Sequence, residues 1–146
     1  MSKALTLYLA SKSPRRKEIL QQLGFQPIVV ASNDHTLRNF QGDEVQLENE
    51  APEDYVVRIA REKALIGFEK IKRDNRPILP LLSADTTVIA DGLILGKPDD
   101  EAQAKDFLRR LSGRTHEVRT AVCVGTRAEN LKTAVSVSHV RFKVLS

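Results

Sequence analysis

Apolar and polar positions alternate through TLYLAS (Thr6–Ser11), the period of a strand with one face turned inward, and the run passes directly into Ser13-Pro14-Arg15-Arg16. A serine followed by proline marks a helix start, with Ser13 as the cap and Pro14 at the first helical position. Ile19, Leu20 and Leu23 give this helix a short apolar face, and Gly24 ends it. FQPIVVAS predicts a second strand, after which Asn33–Glu50 is polar, aperiodic and acidic toward its end, and reads as a loop. From Pro52 the positions Tyr55, Val56, Ile59, Ala60, Ala64 and Phe68 recur at helical spacing, with Glu53 and Asp54 in the first turn, where the helix dipole favours acids. Arg73–Pro80 interrupts the pattern. LLSADTTVIADGLIL predicts two strands joined at Asp91-Gly92, a pair that tolerates the backbone of a tight hairpin. Asp99 is placed to cap a helix whose face is Ala104, Phe107, Leu108 and Leu111, with Gly113 as its stop. HEVRTAVCVGT and KTAVSVSHVRFKVLS predict two closing strands. Crossovers and hairpins together imply an α/β domain, a mixed twisted sheet flanked by helices.

Composition narrows this picture rather than changing it. At 146 residues, of which 41% are hydrophobic and 29% charged, the chain suits one domain with an ordinary core. No apolar run reaches the ~18 residues of a membrane span, and the N-terminus lacks signal-peptide features, so cytoplasmic residence and no membrane partner are expected. Cys123, the single cysteine, lies in the apolar run AVCVG and reads as a buried thiol. A disulfide or a cysteine-based zinc site within the chain is thereby excluded. His35, His116 and His139 show no paired spacing, so any metal would be a hard cation on carboxylates, such as Mg²⁺. The net charge of +4 suits an anionic partner or simple solubility. With two Tyr and five Phe and no basic-aromatic motif, a nucleic-acid partner is not expected.

Three short stretches carry candidate chemistry. Arg15 and Arg16 fall in the first turn of a helix, where cations oppose the macrodipole. An anion there would meet free N–H groups, the Ser11 and Ser13 hydroxyls and two guanidiniums, whereas the alternative sends the arginines to solvent or to Glu18. The stretch is neither a Walker loop nor a dinucleotide fingerprint. Asp85 lies inside a predicted strand, where a carboxylate is costly unless paired or metal-bound; an edge strand or a structural network would also accommodate it. Lys63 falls on or beside the buried face of its helix and either serves a site or snorkels, while Lys97, between Gly96 and Pro98, is a loop lysine of little weight alone. Together with the acidic loop at Asp43 and Glu44, this inventory suits metal-assisted attack on a polyphosphate.

LYLASKSPRRKEILQQLG, DEVQLENEAPEDYVVRIAREKA, SADTTVIADGLILGKPDD and LRRLSGRTHEVRTAV resemble, in order, the signature blocks of the Maf family of nucleoside triphosphate pyrophosphatases. SGRTHEVRTAV looks most like the branch acting on dTTP and UTP. The resemblance implies a fold like that of the inosine triphosphate pyrophosphatases, with a cleft between two lobes, and hydrolysis between the α and β phosphates to monophosphate and pyrophosphate. By matching motif positions, Asp85 would be the catalytic carboxylate and a ligand of a divalent metal, Mg²⁺ or Mn²⁺, assisted by Glu44. Ser11, Ser13, Arg15, Arg16, Lys63 and Lys97 would face the triphosphate, and Arg15 and Thr86 match positions tied to substrate choice. Two departures stand out. The segment FQPIVVASNDHTLRNFQGDE is longer than its counterpart, and the chain stops at FKVLS where the family continues, so a single Maf-like domain over residues 1–146, truncated at its C-terminus, is expected. Such a truncation favours dimerisation through an uncovered edge. The alternative function is a catalytically impaired nucleotide-binding protein acting in cell-division control.

Overall fold

Strand β1 spans Leu5–Leu9 and ends sooner than its alternation suggests, because residues 10–13 turn the chain into helix α1, Pro14–Gln22. A computed structural model of the protein describes residues 5–30, 47–95 and 100–144. The Ser13 side chain caps α1 by accepting from the Arg16 N–H, and Gly24, at φ +93°, makes the left-handed turn into β2, Phe25–Val29. Helix α2 runs Pro52–Arg73 as its apolar period predicts. It is followed by β3, Leu81–Ala90, and the short β4, Leu93–Leu95. Asp91 and Gly92 both adopt positive φ (53° and 76°), the backbone of the predicted tight hairpin. Helix α3, Glu101–Leu111, is capped by Asp100, whose side chain accepts from the Gln103 N–H; the cap is thus one residue later than the expected Asp99, itself outside the described residues. Its apolar face is not a core face among the described residues: no α3 residue is buried, and Leu108 is 49% exposed. The closing strands are β5, Thr115–Gly125, and β6, Lys132–Arg141.

These strands form one mixed sheet in the order β2-β1-β3-β5-β6, with β4 also on β3. β1 lies parallel to β2 and β3, and the remaining pairs are antiparallel, as the alternation of crossover and hairpin implies. The apolar face of α2 covers one side of the sheet. Val56, Ala60 and Ala64 pack there with Tyr8, Val30, Leu81, Ala121 and Cys123. Helix α1 covers the other side with Leu20 on Leu7 and Leu9. Two hydrogen bonds tie polar groups into this core: Ser83 Oγ donates to the Ala60 carbonyl at 2.7 Å, and the Tyr8 hydroxyl donates to the Pro77 carbonyl at 2.6 Å.

The sheet forks at β3. On one edge β3 pairs with β5 from Leu81 to Ile89. On the other, β1 matches only Leu81 and Leu82, and β4 joins only at Val88. Between these, residues 83–87 carry no strand on that edge among the described residues. The fork opens at the middle of β3, where the SADTT motif lies.

Candidate functional site

Alternation along β3 divides its polar residues between the two sides of the sheet. Ser83, Asp85 and Thr87 share the side covered by α2, while Ala84 and Thr86 share the side of α1. Neighbours in sequence, Asp85 and Thr86, therefore build two separate clusters flanking the fork.

On the α2 side, Asp85 is 5% exposed and lies in the stretch of β3 that pairs with β5 on one edge and, among the described residues, with no strand on the other, so it sits at a local edge yet is buried. Lys63 comes off α2 and, because helical side chains lean toward the N-terminus, its Nζ reaches Asp85 Oδ1 at 3.1 Å. Its stem lies along the sheet and its head remains 29% exposed, so it both snorkels and pairs. Thr87, two residues along the same side, donates its hydroxyl to Asp85 Oδ2 at 3.1 Å and is itself buried. Each carboxylate oxygen thus receives a donor, which offsets the cost of a charge in the sheet interior.

On the α1 side, the Arg16 guanidinium does not turn to solvent or to Glu18. Its Nη1 donates to Ser11 Oγ (3.2 Å) and to the Ala84 carbonyl (3.1 Å), and its Nη2 to Thr86 Oγ1 (3.2 Å). Arg16 thereby supplies β3 with a hydrogen-bond partner at the fork, where no strand does among the described residues. Thr86 Oγ1 also lies 3.0 Å from Thr120 Oγ1, its partner across the β3–β5 ladder. Ser11 is buried and accepts from the Ser13 N–H as well, while Arg15 is exposed on the first turn of α1. Of the groups expected from the sequence, the helix start, the Ser11 and Ser13 hydroxyls and the Arg16 guanidinium come together, with Arg16 bound to the protein, while Arg15 is exposed.

Glu44 and Lys97, expected at the metal and the triphosphate, lie outside the described residues, as does His35. His116 is buried edge-on against Phe142, and His139 faces Glu117 at 3.7 Å. Among the described residues no three His, Cys, Asp or Glu side chains come together in the manner of a metal site. Asp85 offers the hard oxygen that Mg²⁺ prefers, yet one carboxylate already bonded to an ammonium does not make a site alone.

Two ion-pair groups flank the N-terminal half of α2 and the β5–β6 hairpin. Arg58 grips Glu50 through Nε (2.7 Å) and Nη2 (3.0 Å), and Glu62 through Nη1 (2.9 Å). The hydrogen bond from Arg58 holds the Glu50 carboxyl below the usual carboxylate range, and the same bond raises the guanidinium. On β5 the hydrogen bond from Arg119 likewise lowers Glu117. Sequence reasoning missed Thr87, Thr120 and Glu50. For Thr87 a signal was present, since it shares Asp85's parity in an alternating strand; for Thr120 there was none short of the β3–β5 register.

A family model described as "Maf-like protein" matches residues 6–146. A dTTP/UTP pyrophosphatase of Pasteurella multocida (strain Pm70) is 48% identical over 143 residues, covering 95% of this chain and 67% of the relative. One from Bordetella avium (strain 197N) is 48% identical over 140 residues, with 96% and 67% covered. Among solved structures, a HAM1 protein from Coxiella burnetii superposes with a TM-score of 0.57 at 16% identity, covering 94% of this chain and 72% of that one, a likeness of fold. The chain spans about two thirds of the length of the curated relatives it matches.

Proposed function

The chain belongs to the Maf family, and from that premise we propose that it is a nucleoside triphosphate pyrophosphatase that hydrolyses dTTP and UTP to the monophosphate and pyrophosphate. The observation that carries the reading is the fork in β3, with a buried carboxylate on one side and a guanidinium-hydroxyl cluster at a helix start on the other. A triphosphate entering the fork meets Arg15 and the N–H groups of the first turn of α1 from one side, and Lys63 from the other. Asp85 accepts a proton from water as its oxygen attacks the α-phosphorus. The bond from that phosphorus to the α–β bridging oxygen breaks, and pyrophosphate leaves with the bonding electrons. Lys63 on Oδ1 and Thr87 on Oδ2 hold the Asp85 carboxylate in place on the α2 side of the fork.

A divalent cation, Mg²⁺ or Mn²⁺, is part of the proposal, with Asp85 and Glu44 as its ligands; bound, it would neutralise charge on the phosphates. Lys97 is assigned to the triphosphate on the same footing. Cytoplasmic residence is proposed from the chemistry of the substrate, and no helix among the described residues is long and apolar enough to cross a membrane. The outer edge of β6, unpaired among the described residues, is the proposed surface for a homodimer.

The test is a pyrophosphate-release assay with dTTP, UTP, GTP and ATP. Release from dTTP and UTP, with kcat lowered roughly 10²–10⁴-fold in Asp85→Asn and the melting temperature retained, is the expected result. Nucleotide binding without any pyrophosphate release would replace the enzyme with a nucleotide-binding protein, and full turnover in Asp85→Asn would remove Asp85 from the chemistry.

A further inference from the structure

We infer that Thr120 is a specificity-determining residue whose hydroxyl, tied to that of Thr86, reads a carbonyl oxygen on the pyrimidine ring of the substrate; the inference rests on the proposed function. Threonines paired across a ladder are common sheet stabilisers, and the Thr86–Thr120 contact of 3.0 Å is on its own no more than that. Arg16 makes the difference. One proton lies between the two hydroxyls, so the pair keeps a second O–H whichever of them donates. Among the described residues nothing accepts that second proton: Thr86 Oγ1 has Arg16 and Thr120 as partners, and Thr120 Oγ1 has Thr86. Thr86 is exposed and Thr120 half-buried, so the pair is open to a ligand. The Arg16 Nη2–H, a charged donor on Thr86 Oγ1 at 3.2 Å, polarises that hydroxyl and makes Thr86 the donor to Thr120, a chain of bonds running one way. The unspent proton is then that of Thr120.

The surroundings suit a neutral acceptor. On the α1 side of the sheet Thr120 is flanked by Val118 and Val122 along β5 and faces Ser136 on β6, while Val88 follows Thr86 along β3; all of these are half-buried or exposed. Valine methyls beside a hydroxyl match the flat face and carbonyl edge of a base, whereas the phosphates already have Arg15 and the first turn of α1 in the proposed function. The spare proton also sets the sign of the preference. Uracil and thymine carry two ring carbonyls, and cytosine has an amino group in place of one. A carbonyl accepts the Thr120 proton and leaves the chain of bonds intact. An amino group needs an acceptor instead, which turns the Thr120 proton back onto Thr86 and leaves the displaced Thr86 proton without a partner. The pair therefore favours oxo-pyrimidines over amino-pyrimidines.

Hydrolysis of UTP and CTP by the wild-type chain, Thr120→Val and Thr120→Ser tests this, with inorganic tripolyphosphate as a competitor that has no base. Val keeps the branched shape and loses the hydroxyl; Ser keeps the hydroxyl and loses a methyl. Thr120→Val is expected to lower kcat/KM for UTP and to cut the UTP-over-CTP ratio about tenfold, and Thr120→Ser to restore the ratio, with inhibition by tripolyphosphate within about twofold throughout. An unchanged ratio in Thr120→Val overturns the inference, because a structural threonine has no means of telling the two bases apart. Inhibition by tripolyphosphate that weakens in step with the loss on UTP overturns it as well, and assigns the hydroxyl to a phosphate oxygen. Should Thr120→Val fail to fold, Thr120→Ala removes the same hydroxyl and is judged by the same criteria. Where CTP is turned over too slowly to follow, its inhibition constant against UTP hydrolysis replaces it. Wild-type release of pyrophosphate with the ratio intact in Thr120→Val refutes the inference while sparing the proposed function. Absence of release from the wild type counts against the function instead, and calorimetric titration of UTP and CTP then decides the inference by the same ratio.

Discussion

Gly67 lies buried on the face of α2 that packs against the sheet, and replacing it with alanine sets two effects of opposite sign against each other. A Cβ added there would lie 2.7 Å from Leu81 Cδ1, 3.2 Å from Ala10 Cβ and 3.7 Å from Val30 Cγ2. Alanine in a helix interior is favoured over glycine by about 1 kcal/mol. Against this, a carbon pair prefers about 3.5–4.0 Å, so the Leu81 contact is short by nearly an ångström. The Leu81 methyl is the end of a side chain, but the residue is 0% exposed and enclosed by Tyr8, Ala10 and Val30, so it has nowhere to swing without displacing another core atom. Overpacking of that kind costs about 1–3 kcal/mol, and the severity of this contact places it in the upper part of the range. The net expectation is a loss of about 1–2 kcal/mol, seen as a melting temperature lower by about 3–8 °C. Because Lys63 lies one helical turn before Gly67, lifting α2 off the sheet would also draw its ammonium from Asp85, and kcat should fall at temperatures well below the transition. Thermal unfolding by circular dichroism with parallel turnover at 25 °C checks both. A variant that melts at or above the wild-type temperature would show that helix propensity wins and that the α2–sheet contact is loose.

Three further outcomes follow from the same geometry. Ser83→Ala removes a buried hydroxyl that donates to Ala60, a carbonyl inside α2, and should cost about 0.5–1.5 kcal/mol in urea unfolding; no change would mean that the bond is not maintained in solution. Arg15→Ala, at an exposed position, should leave stability within about 0.5 kcal/mol while raising KM for the triphosphate, whereas Arg16→Ala should destabilise by about 1–3 kcal/mol because it strips the Ala84 carbonyl of its partner. Equal melting temperatures for the two variants would count against the bridging role of Arg16. Glu50, lowered by its hydrogen bond to Arg58, contributes stability that is present above the unfolded carboxylate value of about 4.3 and is lost as pH falls through its lower folded value. The stability gap between wild type and Glu50→Gln should therefore be constant near neutrality and close in acid, and a gap unchanged by acid in urea titrations would refute the assignment.

Helix α2 was legible because its apolar period holds over six positions and burial against a sheet rewards that period directly. The hairpin at Asp91-Gly92 was legible for a different reason: few dipeptides accept two consecutive positive φ values. Periodicity says which face of a helix is apolar but not whether something covers it, and α3 shows the difference, with a regular apolar face and Leu108 half exposed. At the candidate site, the strand-interior position of Asp85 could be read from SADTTV alone. The work done by Arg16 could not, because its partner Ala84 is 68 positions away and depends on where α1 lands on β3. The fork itself is a matter of how far β1 and β4 run along β3, a long-range property that no local pattern encodes.

That Asp85 and Thr86 project to opposite sides of β3 makes the parity of this strand a constraint on how the protein can vary. A substitution on the α1 side, at Thr86 or Thr120, can change the Arg16 cluster without touching the packing of Asp85 against α2. A substitution at Lys63 or Thr87 acts on the other side alone. Insertion or deletion of one residue within β3 ahead of the pair is another matter, since it would turn the carboxylate toward α1 and the threonine hydroxyl into the α2 core. Length and composition of the strand thus fall under separate physical rules, since a change of length moves both sides at once and a change of residue moves one side at a time.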